Sequence, residues 1–216
     1  METGCLYGIS KNTCHNNIDI NITDLRGGSR LFNKMLKKIM LILLLGFIFV
    51  RIFTGPWFLQ RFYPYPHQEL ISENCRLYEV DPFLVLALMK TESRFYSGAS
   101  SRVGAMGLMQ IMPETGKWIA EQMGLDDFQA DNLYQPRYNI PMGIWYISYL
   151  YEKFDNNTVK VLAAYNAGAT KVKNWIVQGL WTGELKDIKQ IPYKETRKYV
   201  DRVLFNYQVY KYIYRD

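Results

Sequence analysis

The chain has 216 residues, enough for one domain plus an appendage, and 49% of them are hydrophobic and 15% aromatic, including 17 Tyr. Its formal charge of +6 is unevenly placed, with +4 in residues 1–60 and only +2 in residues 61–216, where cations are scattered rather than striped. That distribution argues against a nucleic-acid surface, and three Cys and two His, none of them clustered, argue against a disulfide framework, a metal centre or a Ser-His-Asp relay.

Residues 1–34 are polar, Asn-rich and aperiodic, and read as an unstructured tail containing Cys5, Cys14 and His15. Residues 35–58 form the next segment. Arg26, Arg30, Lys34, Lys37 and Lys38 precede the apolar run "IMLILLLGFIFV", which continues past Arg51 to Ile52, Phe53, Trp57 and Phe58. Cations ahead of an apolar run mark a segment entering a membrane from the inside. The uninterrupted run falls short of the ~20 residues a spanning helix needs; continuing to Phe58 supplies the length if Arg51 snorkels or faces a partner. The reading is a single-pass N-terminal anchor with the rest of the chain on the extracytoplasmic side. A cleaved signal is the alternative, although no small-x-small cleavage site follows. Met35 is also a sensible start for an exported protein, so residues 1–34 are either a short cytoplasmic tail or an upstream extension.

Residues 59–216 read as a series of helices. "QELISENCRLYE" places Leu70, Ile71, Asn74, Cys75 and Tyr78 on one face. Asp81-Pro82 supplies an N-cap acid and Pro at the first helical position. The helix it opens, "PFLVLALMKTES", is apolar nearly all round and should be the central buried one. Further helices are predicted from Met112-Pro113 to about Gly124, after Asn139 ("NIPMGIWYISYLYEKF"), after Thr158 ("TVKVLAAYNAG"), and over "PYKETRKYVDRVLFNYQVYKYIY". No alternating series with hairpin turns occurs, so the expected fold class is all-α.

Glu92 closes the most buried helix. A helix C-terminus disfavours a negative charge, and apolar surroundings do the same by desolvation, so its pKa is expected to be raised. A carboxylic acid protonated near neutrality can donate a proton to a leaving oxygen. The plainer alternative is an exposed helix end where Glu92 pairs with Lys90 or Arg94. Beyond it, Gly98, Gly104 and Gly107 permit tight turns, and the loop ends in "GLMQIMP", where Gln110 and Met112 can reach a cleft beside the helix end.

"ESRF", "GAMGLMQIMP", "AYNAG" and "PYKETRKYV", in this order and spanning most of residues 68–205, together resemble the catalytic domain of the family 1, soluble-type lytic transglycosylases. The resemblance implies a goose-type, lysozyme-like fold and a peptidoglycan strand as substrate, with no cofactor and no metal. Carried over residue by residue, it makes Glu92 the single catalytic acid/base. Ser101 and Gln110 line the cleft near the scissile bond, and Met112 makes an apolar contact to the sugar. Tyr165 and Asn166 lie close to the reacting sugar, and Glu195 and Tyr199 belong to the last motif, with Tyr199 near the acid. Glu195 and Tyr199 are one turn apart on one helix face, a spacing a surface helix shows equally. Tyr96-Ser97 departs from the Asn-Pro frequent in the family at that point.

The resemblance implies cleavage between N-acetylmuramic acid and N-acetylglucosamine without water, leaving 1,6-anhydro ends. Two alternatives stand beside it. A hydrolytic muramidase on the same fold needs a second carboxylate, such as Glu195 or Asp201, in the cleft. A non-catalytic glycan-binding module has no need of a desolvated Glu92.

Overall fold

The computed structural model describes residues 22–214, and the chain divides into two units between Phe53 and Thr54. Cys5, Cys14, His15 and the rest of 1–21 lie outside the described residues. Among the described residues the first unit is helix α1, Ile22–Thr54, up to its last residue. It begins inside the stretch read from sequence as tail. Once the apolar part has formed a helix, each residue added upstream gains a hydrogen bond without a new nucleus, and this outweighs Gly27-Gly28.

α1 stops ahead of Gly55-Pro56, because proline disfavours helix in the residue before it and lacks the donor to continue one. Pro56 instead becomes the first residue of α2, Pro56–Gln60. The expected spanning segment 35–58 is therefore not one helix. Lys34, Lys37, Lys38 and Arg51 bracket the apolar run so closely that every 18-residue stretch of α1 holds at least three charges. Among the described residues no helix is long and apolar enough to cross a membrane. The run's side chains are nonetheless exposed, Ile42 and Leu43 each by 67%.

The second unit contains α2 and seven longer helices: α3 (Gln68–Leu77), α4 (Pro82–Glu92), α5 (Pro113–Met123), α6 (Pro136–Lys153), α7 (Thr158–Ala167), α8 (Ala169–Val177) and α9 (Lys194–Tyr214). Short 3-10 segments occupy Ala130–Tyr134 and Leu185–Gln190, and no strand occurs among the described residues. The all-α expectation holds for this unit.

α4 is the centre. Leu84, Val85, Leu86, Ala87, Leu88 and Met89 are all buried, as a helix apolar all round requires. Asp81 caps it as expected: Oδ1 accepts the Phe83 N–H at 2.8 Å, and Oδ2 accepts the Tyr207 hydroxyl of α9 at 2.5 Å. α9 lies along α4 and also meets α7 and α2. Its far end clasps the chain entering the unit. Tyr63 donates to Asn206 Oδ1, Tyr214 donates to the Tyr63 carbonyl and Tyr210 to that of Pro64, while Lys90 donates to the Phe62 carbonyl.

α6 starts at Pro136, three residues ahead of Asn139. Pro136 fits the first helical position, where its missing N–H costs nothing, and Pro141 near the N-terminus forfeits only one internal hydrogen bond. The early start places Asn139 on the buried face, fully enclosed. Its Oδ1 accepts the Met109 N–H at 2.7 Å, and its Nδ2 donates to the carbonyls of Met106 (3.0 Å) and Leu133 (2.8 Å). Gly107 is essential to this approach: at φ +78° a Cβ there would stand 2.0 Å from the Leu133 carbonyl oxygen.

We expect Asn139→Ala to cost about 4 kcal/mol, because three buried backbone groups lose their partners at roughly 1–3 kcal/mol each. At ~2–4 °C per kcal/mol for a chain of this size, Tm should fall by roughly 8–16 °C. A melting curve superimposable on wild type would refute this account of the loop.

Candidate active site

α4 delivers Glu92 to the surface as its last residue. Ser93 then turns the chain: its Oγ donates to the Leu108 carbonyl at 2.7 Å and accepts the Phe95 N–H at 3.1 Å. Arg94 and Phe95 both take left-handed conformations (φ 52° and 66°) without being glycine. Such strain persists only where surrounding contacts hold it. The loop returns as a tight double bend in which Met106 pairs with both Ser100 and Ile111. Tyr165 of α7 fixes the bend from the other side, donating to the Met109 carbonyl at 2.9 Å.

Glu92 is half-buried, and its Oε1 accepts the Tyr199 hydroxyl of α9 at 2.6 Å. Burial pushes the carboxyl up to about 7, and the Tyr199 hydrogen bond opposes the shift without cancelling it. The Tyr199 and Tyr165 phenols are themselves held well above their ordinary range, first by burial and then by the charge of Glu92. Both remain neutral donors. With Oε1 taken by Tyr199, Oε2 is the oxygen left to carry a transferable proton.

Beside the carboxyl lies a cleft of about 320 Å³ lined by Thr91, Glu92, Asn166, Glu195, Lys198, Tyr199 and Arg202. Thr196, buried on α9, donates to Asn166 Oδ1 at 2.8 Å, which leaves the Asn166 amide nitrogen as the donor on offer. Away from this cleft Tyr165 stacks obliquely on Tyr146 (5.6 Å between ring centroids), and Tyr146, Trp118, Tyr149 and Trp145 continue as one aromatic bank. A second hollow of about 360 Å³ opens on that bank, with Lys153 and Glu114 at its edge.

The structure thus brings together Glu92, Asn166, Glu195 and Tyr199, with Tyr165 supporting them. Glu195 is exposed at the start of α9. Asp201 is exposed too and does not line the cleft. Ser101, Gln110 and Met112 belong to the loop and not to that lining. Ser101 Oγ accepts the Ala105 N–H at 2.9 Å, and the Gln110 amide donates to the Ala99 and Gly107 carbonyls, so both shape the bend. Met112 is 40% exposed at the N-cap of α5.

Four contributors were not singled out by sequence reasoning: Ser93, Asn139, Thr196 and Trp118. Ser93 and Thr196 lie within the quoted motifs "ESRF" and "PYKETRKYV", and Asn139 left a lone amide within an otherwise apolar face.

A family model described as Transglycosylase SLT domain matches residues 69–188. The soluble lytic murein transglycosylase of Salmonella typhimurium is 33% identical over 68% of this chain, and that of Escherichia coli strain K12 is 32% identical over 73%. This chain spans about a quarter of the length of those relatives, 23% and 25%. A membrane-bound lytic murein transglycosylase C of Actinobacillus pleuropneumoniae is 36% identical over 48% of the chain and 31% of its own length. Among solved structures, the 70 kDa soluble lytic transglycosylase of Escherichia coli superposes with a TM-score of 0.68 at 30% identity, covering 74% of this chain and 26% of that one. An inactive mutant of the Pseudomonas aeruginosa Slt gives 0.63 at 31%, covering 76% and 26%.

Folded Glu92 keeps its proton to about 7, whereas an unfolded glutamic acid releases it near ~4.3. The stability this lends is fully present below ~4.3 and is lost as pH rises through about 7, to the extent of roughly 3–4 kcal/mol. Glu92→Gln should therefore melt higher than wild type at pH 8, with the gap narrowing toward pH 4. In carboxyl-resolved NMR titrations, Tyr199→Phe should move the Glu92 midpoint further up, since it removes a hydrogen bond that favours the charge. A downward shift would contradict the assigned hydrogen bond.

Proposed function

Since the chain belongs to the family of transglycosylase SLT domains, we propose that it is a peptidoglycan lytic transglycosylase cleaving the bond between N-acetylmuramic acid and N-acetylglucosamine. The observation that carries the reading is a single carboxyl held at about 7 by burial and gripped on one oxygen by Tyr199. Among the described residues no second acid is enclosed with it: Glu195 stands exposed on the cleft wall and Asp201 lies off it. A lone enclosed acid suits chemistry in which the substrate supplies its own nucleophiles, rather than the paired carboxylates of ordinary glycoside hydrolysis.

In this reading the Oε2 proton passes to the glycosidic oxygen as the C1–O bond of the muramic sugar breaks. The 2-acetamido carbonyl attacks C1 and carries the positive charge as an oxazolinium. Glu92, now a carboxylate, takes the proton of the C6 hydroxyl, whose oxygen attacks C1 and expels the acetamido oxygen. A 1,6-anhydro ring forms, Glu92 is reprotonated, and no water is consumed. Tyr165 and Asn166 position the reacting sugar, Ser101 and Gln110 hold the loop beside it, and Met112 offers an apolar contact. Glu195 is a wall contact rather than a second catalyst.

The same reading places the catalytic unit on the extracytoplasmic side, where the polymer lies, and gives the exposed apolar stretch of α1 the task of holding it at the membrane. Lys34, Lys37 and Lys38 would lie among the anionic headgroups. The name of the membrane-bound relative supports membrane attachment. Paired Ile42→Asp and Leu45→Asp substitutions should release the chain from carbonate-washed membranes, and retention in the pellet would overturn the attachment.

The deciding experiment digests purified peptidoglycan with the whole chain in water enriched in heavy oxygen. Unlabelled 1,6-anhydromuramic ends are expected, and Glu92→Gln should lower their yield at least about a thousandfold while still binding the polymer. Labelled reducing ends would establish hydrolysis instead, with Glu195 the nearest candidate for the water-activating base.

A further inference from the structure

Glu92 is the last residue of α4, and helix ends fray because their final carbonyls have no partners within the helix. An acid placed there needs its turn held from outside. Tyr199 grips the carboxyl, while a separate chain of hydrogen bonds holds the backbone turn that carries it. The Tyr63 hydroxyl donates to Asn206 Oδ1 at 3.2 Å, Asn206 Nδ2 donates to Thr91 Oγ1 at 3.0 Å, and the Thr91 hydroxyl donates to the Ala87 carbonyl at 2.8 Å. The direction of this chain is forced. Because Thr91 commits its proton to Ala87, its oxygen accepts, which turns the Asn206 nitrogen toward α4 and the Asn206 oxygen toward Tyr63. Asn206 is buried, and a hydrocarbon side chain there would fill the seam between α4 and α9 with no polar group to satisfy. Packing alone does not call for the amide.

Lys90, on the same turn, is drawn to the same entering segment: its ammonium donates to the Phe62 carbonyl and lies 4.1 Å from the centroid of the Tyr63 ring. Residues 90, 91 and 92 are thus each held by a group from outside α4. We propose that Tyr63 is a positioning residue for the acid: through Asn206 and Thr91 its hydroxyl fixes the last turn of α4, which makes the segment entering the unit part of the active-site support. This rests on the transglycosylase reading of Glu92. Thr91 lines the cleft beside the carboxyl, so the chain ends one residue from the reacting group. Hydrogen bonds in series polarise one another, so removing the hydroxyl at one end weakens the hold at the other. Tyr63 precedes and Asn206 follows the stretch 69–188 that the family model matches; this support for the acid is supplied from both sides of it.

The test uses the full chain carrying Tyr63→Phe, which keeps the ring against Tyr210 and Lys90 and removes only the hydroxyl. On soluble peptidoglycan strands kcat should fall roughly tenfold while KM stays within about twofold of wild type, because a displaced acid weakens the transition state and not the bound substrate. Tyr65→Phe is the control: its hydroxyl pairs with Ser72 Oγ, off the chain, and both constants should stay at wild type. With Thr91→Val already in place, Tyr63→Phe should cost less than about twofold more, since both substitutions break one chain. An undiminished loss on that background would overturn the proposal, as would wild-type kcat in Tyr63→Phe alone. Products are counted whatever their ends, so hydrolysis in place of anhydro formation leaves the comparison intact. Release of no product by the unsubstituted chain would sink the transglycosylase reading, and the Glu92 titration followed by NMR then decides this one. Tyr63→Phe should lower the midpoint from about 7 as water reaches a looser turn, and an unchanged midpoint would refute the coupling.

Discussion

A carboxyl group at the C-terminal end of a buried helix is held against two opposing forces, the helix dipole and the loss of water, and both favour its neutral form. In this chain the seam between α4 and α9 determines the balance. α4 is too apolar to lie anywhere but the centre of the unit, and α9 covers it along its length, bringing Tyr199 within 2.6 Å of Glu92. Packing and acid strength therefore share one cause. A looser seam would admit water, lower the pKa and lose the oriented hydrogen bond in a single step.

The loop between α4 and α5 takes its anchor points mostly from outside that seam. Three side chains from three helices hold its backbone: Ser93 at the end of α4, Asn139 in the first turn of α6, and Tyr165 near the end of α7. Each satisfies polar groups that would otherwise be buried without partners. Because the clamps come from separate elements, the loop is fixed before any ligand arrives. A reaction that relies on positioning benefits from such preorganisation, since none of the binding energy goes into ordering the site.

The elements most legible in the sequence were those whose signals are local. Asp81-Pro82 announces the start of α4, Gly124 takes the left-handed conformation that ends α5, and Gly168 closes α7. Glu92 could be proposed from its place at the end of an apolar run and assigned through the motif around it. The onset of α6 was hidden because Pro141 reads as a helix breaker when it is only an early helical residue. α8 was hidden because Gly168 ends one helix and opens the next with no intervening residue. The roles of Thr196, Ser93 and Asn139 depend on partners 15 to 33 positions away; no local pattern encodes such distances. Tyr199 lies past the stretch that the family model matches, yet it touches the acid directly.

The clasp formed by Tyr63, Pro64, Asn206, Tyr210 and Tyr214 has a consequence for how such a unit is inherited. It brings the entering chain and the final helix side by side, with the Tyr63 and Tyr210 rings 5.3 Å apart. A unit whose two ends meet at one seam can be joined to unrelated segments without disturbing its interior. Recombination can then move the helical body as a cassette, and relatives in which the matched part is only about a quarter of the polypeptide are the expected outcome.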